Sequence, residues 1–369
     1  MDNSNSLLFP LLRYSLFGRV PSPLLYENCD WERLLAFAEC QTVLGLVVDG
    51  IEGLPADVRP ERSLMMSAIG RVCGIERSNG VAKDVLGSLL AEYRSAGVEP
   101  VLMKGLGVGD RYPCPDHRAC GDIDLFFARP SDAVKAGTVA QRLSASVDTF
   151  YAKHAVFSYK GITVENHCRL CDFSNARFTA MLDDIVSMEL SGDLSSFCLR
   201  RNIDGITVCE LPLTLYAFFL LCHKATHVIE DGLGLRQVCD WAVFLFAEHE
   251  RIDQDKFARW TSDLRLWPLA HAFGRICVDD LGLPESCLPF RLVRETGNYE
   301  LLCRQILSGG NFGRLFYRYK GHVGKKEDML RTMCVKMPRY ASLYRLWPDE
   351  ARWCYWAMLK RGVRRLSGR

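Results

Sequence analysis

The chain has 369 residues, 49% hydrophobic and 24% charged, the balance of a folded globular protein with room for more than one domain. A net charge of +2 excludes a global electrostatic case for nucleic acid and leaves only local patches. The apolar run Leu211 to Cys222 is too short to span a membrane and is followed by His223-Lys224.

The sixteen cysteines are scattered, several in apolar helical context (Cys222, Cys239, Cys334, Cys354). Cys168 and Cys171 form a Cys-x-x-Cys with no second pair to complete a zinc site and no thioredoxin-like setting. The opening Asp2-Asn3-Ser4-Asn5-Ser6 lacks the basic segment of a secretory signal. The expectation is a cytoplasmic protein with reduced thiols.

In chain order, residues 1–90 read as helical. Ser6 to Phe17 carries a helical stripe, and Asp30 is placed to cap a helix through Leu44. Ser63 to Ala96 is a long helical pattern that Gly97 ends. Val98 to Met103 then reads as a buried strand, and Gly121 to Phe127 as a second. Pro130 to Leu143 reads as a helix capped by Ser131 or Asp132. Ala155–Tyr159 and Ile162–His167 flank Lys160-Gly161 as a hairpin. Asp172 to Ile206 shows one helix, around Phe178 to Met188, and then a polar stretch. From Leu213 the chain is helical again: Leu213–Val228, Leu235–His249, Phe257–Leu269, Ala270–Asp280, Tyr299–Leu307 and Lys326–Arg345. The predicted fold class is α+β: a core at 91–205 with a small mixed sheet, an N-terminal helical segment at 1–90, and a C-terminal helical lobe with a basic tail at 206–369.

The chemistry concentrates between Val101 and His167. In Gly121-Asp122-Ile123-Asp124-Leu125, strand alternation puts Asp122 and Asp124 on one face and Ile123 and Leu125 on the other. By itself, such a pair is as readily two solvated acids as a site for Mg²⁺, which takes hard oxygen ligands. The same alternation puts Thr163, Glu165 and His167 on one face of the Ile162–His167 strand, so a neighbouring strand can bring Glu165 beside the aspartates. Three carboxylates so placed can hold two metal ions about 3.5–4 Å apart. Lys104-Gly105 at a strand end and Arg118 suit phosphate: lysine as a point charge, glycine by letting backbone approach closely.

Leu102-Met103-Lys104-Gly105, Arg111-Tyr112-Pro113, Arg118 and Gly121-Asp122-Ile123-Asp124-Leu125 resemble the uncharacterised nucleotidyltransferase family of the DNA polymerase β-like superfamily. Val164-Glu165-Asn166-His167 matches that family's carboxylate-before-histidine strand. His223, His227, Gly234-Leu235-Arg236 and Asp240-Trp241 resemble its helical histidines and Leu-Arg…Asp segment. The resemblance covers roughly residues 98 to 245. It implies a polymerase β-like nucleotidyltransferase core and transfer of a nucleoside monophosphate from a nucleoside triphosphate with two Mg²⁺ ions. Asp122, Asp124 and Glu165 are the implied catalytic metal ligands, and Lys104, Gly105, Arg118 and Gly121 the implied triphosphate contacts. Lys104-Gly105-Leu106 stands where the broader superfamily has Gly-Ser or Gly-Gly. The acceptor is not implied: a small molecule, a sugar, a protein or RNA.

His167, His227, Arg236 and Asp240 are further cleft candidates. His167 either orients Glu165 or is a satisfied core histidine. His223 and His227, four apart on a helix, could join Asp240 around zinc, but packing or hydrogen bonding is the plainer reading. Arg236 could pair with Asp240 or bind phosphate. From Lys336 onward nine Lys/Arg interleave with Trp347, Trp353, Tyr355 and Trp356. The plainer reading there is an amphipathic helix with packed aromatics and a frayed tail from Lys360; the alternatives are base stacking or a peripheral membrane contact. Two other function classes stay open, a nucleotide- or partner-binding protein without turnover and a toxin-like RNA-modifying transferase.

Overall fold

The computed structural model describes residues 7–151, 154–192, 198–310 and 325–366. Helices α1 (Leu8–Phe17), α2 (Trp31–Cys40) and α3 (Leu44–Glu52) open the chain, and the Asp30 carboxylate caps α2 by accepting from the Arg33 N–H at 3.0 Å. Helix α4 (Arg62–Ser95) is long because its buried residues keep a helical spacing throughout. Ala68 and Val72 pack with the N-terminal helices, whereas Val85, Leu86, Leu89, Leu90 and Tyr93 pack on the sheet.

Seven strands form one mixed sheet in the order β3-β4-β5-β2-β1-β7-β6. They are β1 (Val101–Leu102), β2 (Asp122–Phe126), β3 (Val147–Tyr151), β4 (His154–Tyr159), β5 (Ile162–His167), β6 (Leu199–Ile203) and β7 (Ile206–Glu210). A one-turn helix α5 (Leu106–Gly109) follows β1, and α6 (Pro130–Leu143) follows β2. Pro130 starts α6 after Arg129, so neither Ser131 nor Asp132 is its cap. Lys160-Gly161 makes the expected two-residue hairpin, both residues at positive φ. Strands β3, β6 and β7 were not expected. The β6–β7 hairpin turns on Asp204-Gly205 with the same positive-φ pair, inside the stretch read as polar and irregular. It joins the sheet through parallel pairing of β7 with β1, beyond position 205, where the sequence ends the core.

Alternation along the central strands divides the sheet's two faces. Leu102, Ile123, Leu125 and Val164 pack on α4 and α6. Val101, Met103, Phe126 and Cys209 belong to the larger core shared with the helical lobe, and Asp122 and Asp124 share the Phe126 side of β2.

Helix α7 (Ala176–Glu189) precedes β6. The lobe comprises α8 (Leu213–Glu230), α9 (Leu235–Glu248), α10 (Gln254–Asp263), α11 (Trp267–Arg275), α12 (Thr296–Gly309), α13 (Lys325–Leu343) and α14 (Pro348–Leu366). Helix α8 is buried on nearly all sides, which matches its lack of a polar stripe. Arg265, at φ 54°, splits the segment Phe257–Leu269 between α10 and α11. Trp347 is fully buried against Phe173 and Phe178, but Trp353 and Trp356 are exposed, so the expected packing of all the C-terminal aromatics does not hold. Helix α14 stays helical to Leu366 where a frayed tail was expected from Lys360, and residues 367–369 lie outside the described residues, as do 1–6 at the start. Cys198 and Cys209 are joined in a disulfide, against the expectation that all thiols are reduced. No described helix is long and apolar enough to cross a membrane.

Candidate active site

Strands β2 and β5 run parallel in a register that sets Asp122 beside Thr163, Asp124 beside Glu165, and Phe126 beside His167. One carboxylate oxygen from each of Asp122, Asp124 and Glu165 lies within 4.8 Å of the others. Asp124 is wholly buried, Glu165 partly so, and Asp122 faces the opening. The His167 imidazole lies between two of the acids, with Nε2 2.9 Å from Asp124 Oδ1 and 3.1 Å from Glu165 Oε2. Burial alone would push the Glu165 carboxyl up, but His167 and Lys104 outweigh it and hold it down to about 2. The same two groups overcome burial at Asp124 and hold it below the usual carboxylate range. Burial likewise works against the His167 imidazolium, yet the two carboxylates raise its pKa. Asp124 Oδ2 is buried and has no hydrogen-bond partner.

Lys104 follows β1 and turns back onto the acids, with Nζ 3.1 Å from Asp124 Oδ1 and 3.8 Å from Asp122 Oδ2. In this state it neutralises carboxylates instead of waiting for phosphate. Gly105 has φ 65° and ψ −115°, a conformation closed to L side chains. A Cβ there would also stand 3.3 Å from the Asp122 carbonyl oxygen, so glycine lets Lys104 and the Asp-x-Asp strand meet. Gly121 borders the cleft with open space around it.

Arg118 is not available for a phosphate. Its Nε and Nη2 donate to the two Asp240 oxygens at 2.9 and 2.8 Å, while Nη1 donates to the Ala119 carbonyl and Cys120 sulfur. Tyr112 donates to the same Asp240 at 2.7 Å. Next to this pair, Arg111 makes a fork to Glu210 at 3.0 and 2.8 Å and reaches Glu248 at 2.9 Å. Arg201 also bonds Glu210, Glu248 and Asp110. Arg111, Tyr112 and Arg118 therefore tie the strand–loop segment to β7 and α9. Glu210, Glu248 and Arg201 were missed in the sequence, although Asp204-Gly205 marked the hairpin that carries two of them.

A cavity of about 430 Å³ separates the carboxylates from α8 and α9. Lys104, Asp122 and Thr163 line one side, and His223, Lys224 and Arg236 the other. Arg236 does not pair with Asp240; its Nη1 donates to the Ala119 carbonyl at 2.5 Å. His223 and His227 face each other with Nε2 atoms 3.2 Å apart. With Asp240 committed to Arg118, the zinc alternative loses its third ligand. Lys224, missed in the sequence, is buried under the Trp241 ring at 4.7 Å and donates to the Leu220 carbonyl; burial pulls its pKa down to about 7. Two further groups could share a cation: His154 with Glu165 and His167, which overlaps the main site, and Asp49 with Cys114 and His117. In the second, His117 is bridged by Asp49 and Glu76.

A mixed sheet presenting Asp-x-Asp beside a third carboxylate, under a helical lobe, defines a nucleotidyltransferase core with helical flanks. Residues 27–279, more than half of the chain, match the uncharacterised nucleotidyltransferase family, and the protein belongs to it. That span extends well to the N-terminal side of the motifs and takes in all of α2, α3 and α4. No curated protein and no solved structure matches the chain.

Proposed function

We infer that this protein transfers a nucleoside monophosphate from a nucleoside triphosphate to an acceptor hydroxyl, with Mg²⁺ held by Asp122, Asp124 and Glu165. The observation that carries this is Asp124 Oδ2. A fully buried carboxylate oxygen with no partner is costly, and a cation is what it lacks. The donor set is all oxygen, which suits Mg²⁺ better than zinc. When bound, the metal neutralises charge on the transferring phosphoryl group and lowers the pKa of the acceptor hydroxyl.

The chain's own residues supply position. His167 holds Asp124 and Glu165 in place through its Nε2, so the acids cannot splay apart under mutual repulsion. Lys104 balances the acids at rest and, on substrate binding, exchanges them for phosphate oxygens within reach of the same Nζ. Gly105 and Gly121 leave room beside the acids for the triphosphate. Among the described residues none of the basic residues from Lys336 onward lines this cavity.

The test is pyrophosphate release from each of the four nucleoside triphosphates, with and without Mg²⁺, in the presence of pooled small molecules, RNA or protein as acceptor. Release that needs Mg²⁺ and disappears in Asp124→Asn is expected. Release of equal size in that variant would remove Asp124 from the chemistry.

A further inference from the structure

Charge matching separates the two arginines that line the cavity. Arg118 has a carboxylate on two of its nitrogens. Arg236 has no carboxylate within hydrogen-bond distance: its Nη1 donates to the Ala119 carbonyl, and its Nε is buried without a partner. Burial, and then the neighbouring Arg118, push its pKa down, as expected of a cation whose charge is poorly compensated. The other cations of the cavity have partners at rest: Lys104 must leave the acids before it reaches a phosphate, and Lys224 is held by Leu220 and Trp241.

Arg236 also sits in the first turn of α9, fourteen residues long, with no acidic side chain in that turn. The positive pole of the helix and the guanidinium thus add on the same side of the cavity, and among the described residues no carboxylate is in contact with the guanidinium; Asp240 and Asp122 act on it only from a distance. Gln41 and Gln237 accept the N–H groups of Leu235 and Gly234, so neutral side chains close the end of the helix. The carboxylates on β2 and β5 stand across the cavity. A polyanion lying between the two walls meets a guanidinium on one side and the metal-binding acids on the other.

We propose that Arg236, at the start of α9, is the anion clamp of this cleft and takes the β- and γ-phosphates of the nucleotide, where the family resemblance implied a triphosphate contact by Arg118. The proposal uses the nucleotidyl-transfer assignment only to identify the anion as a triphosphate; the binding of a polyphosphate stands without it. A planar fork suits two phosphate oxygens, which lysine cannot reproduce. The Arg118–Asp240–Tyr112 cluster then acts from behind. It holds α9 against the Asp-x-Asp loop, and so fixes the distance from Arg236 to the acids.

The test uses inorganic tripolyphosphate and the full chain, titrated by calorimetry with and without Mg²⁺. Arg236→Met is expected to weaken binding by about tenfold or more and, in the ligand-free protein, to melt no lower than wild type, because a largely buried cation with no carboxylate in contact has been removed. Tripolyphosphate should raise the melting temperature of the wild type and leave that of the variant unchanged. If Arg236→Met does not fold, Arg236→Lys serves: it keeps the charge, loses the fork, and should bind several-fold more weakly. Equal tripolyphosphate affinity in wild type and variant overturns the proposal, and so does a folded Arg236→Met with a clearly lower melting temperature and no affinity change. Failure of nucleotidyl transfer gives a different pattern. A wild type that binds tripolyphosphate through Arg236 and turns over no nucleotide keeps the clamp and loses the reaction, whereas normal turnover with an unchanged KM in Arg236→Lys keeps the reaction and loses the clamp.

Discussion

Two clusters of buried charge lie a few residues apart and are built on opposite principles. Around Arg111, Arg118 and Arg201, every guanidinium has a carboxylate: Glu210, Glu248, Asp110 and Asp240. In the cleft, Asp122, Asp124 and Glu165 are paired with Lys104 and His167, and buried atoms of Asp124 and Arg236 are left without partners among the described residues. The first cluster is closed, and nothing can be added to it. The second is open on both walls, short of positive charge at the acids and short of negative charge at Arg236. Closed charge networks fix geometry, and open ones receive ligands.

The comparison breaks most sharply in activity. Asp124→Asn should lower turnover by on the order of 10³ or more, because one acid of the proposed metal site is gone. Its melting temperature should fall, since Lys104 and His167 lose a buried carboxylate that they hold in its charged form; thermal unfolding beside the turnover assay shows that the variant is folded where turnover is read. Glu210→Ala breaks the closed cluster. It leaves Arg111 and Arg201 to share Glu248, with Asp110 on Arg201, and should cost about 3 kcal/mol of stability, the low end for a broken buried pair, read from denaturant midpoints. A loss under about 1 kcal/mol would mean that the closed cluster contributes little.

Lys224 gives a smaller, pH-dependent effect. Its pKa falls from an ordinary 10.5 to about 7 in the folded protein. The unfolded chain therefore binds more protons between pH 7 and 10.5, and stability rises with pH across that window. Lys224→Met should be more stable than wild type at pH 7, and the difference should shrink toward pH 10.5; an advantage that does not change with pH would contradict the assignment. The smallest effect is expected at His117, where the Asp49 hydrogen bond, together with Glu76, raises the pKa from 6.5 to about 9. That contribution is complete below pH 6.5 and is lost as pH rises through 9. His117→Gln should thus lower the melting temperature by a few degrees at pH 6, about 4 °C at most, and by nothing at pH 10.

Local signals in the sequence foretold the parts of the fold that local physics decides. Helix α4 was legible from its long stripe, and the β4–β5 hairpin from Lys160-Gly161. Period-two alternation was enough to set Glu165 on the aspartate side. The β6–β7 hairpin had an equally good turn in Asp204-Gly205, but Arg200, Arg201 and Asn202 hid the strand before it, as happens at a sheet edge. The destination of Arg118 could not be read, because its partner Asp240 lies 122 residues away and is brought close only by packing. Arg236 was read either as a partner of Asp240 or as a phosphate ligand, and of these the pairing fails because Arg118 already holds the carboxylate. Which charge is matched is a property of the folded molecule.

The central claim is that the open cluster performs nucleotidyl transfer. It is tested most directly by following two labels, on the α- and the γ-phosphate of the same nucleoside triphosphate, with the full chain, Mg²⁺ and an acceptor pool. The account predicts that the α-label moves to acceptor while the γ-label leaves as pyrophosphate, and that both events vanish in Asp124→Asn. Transfer of the γ-label to acceptor, or α-label transfer undiminished in Asp124→Asn, would contradict it.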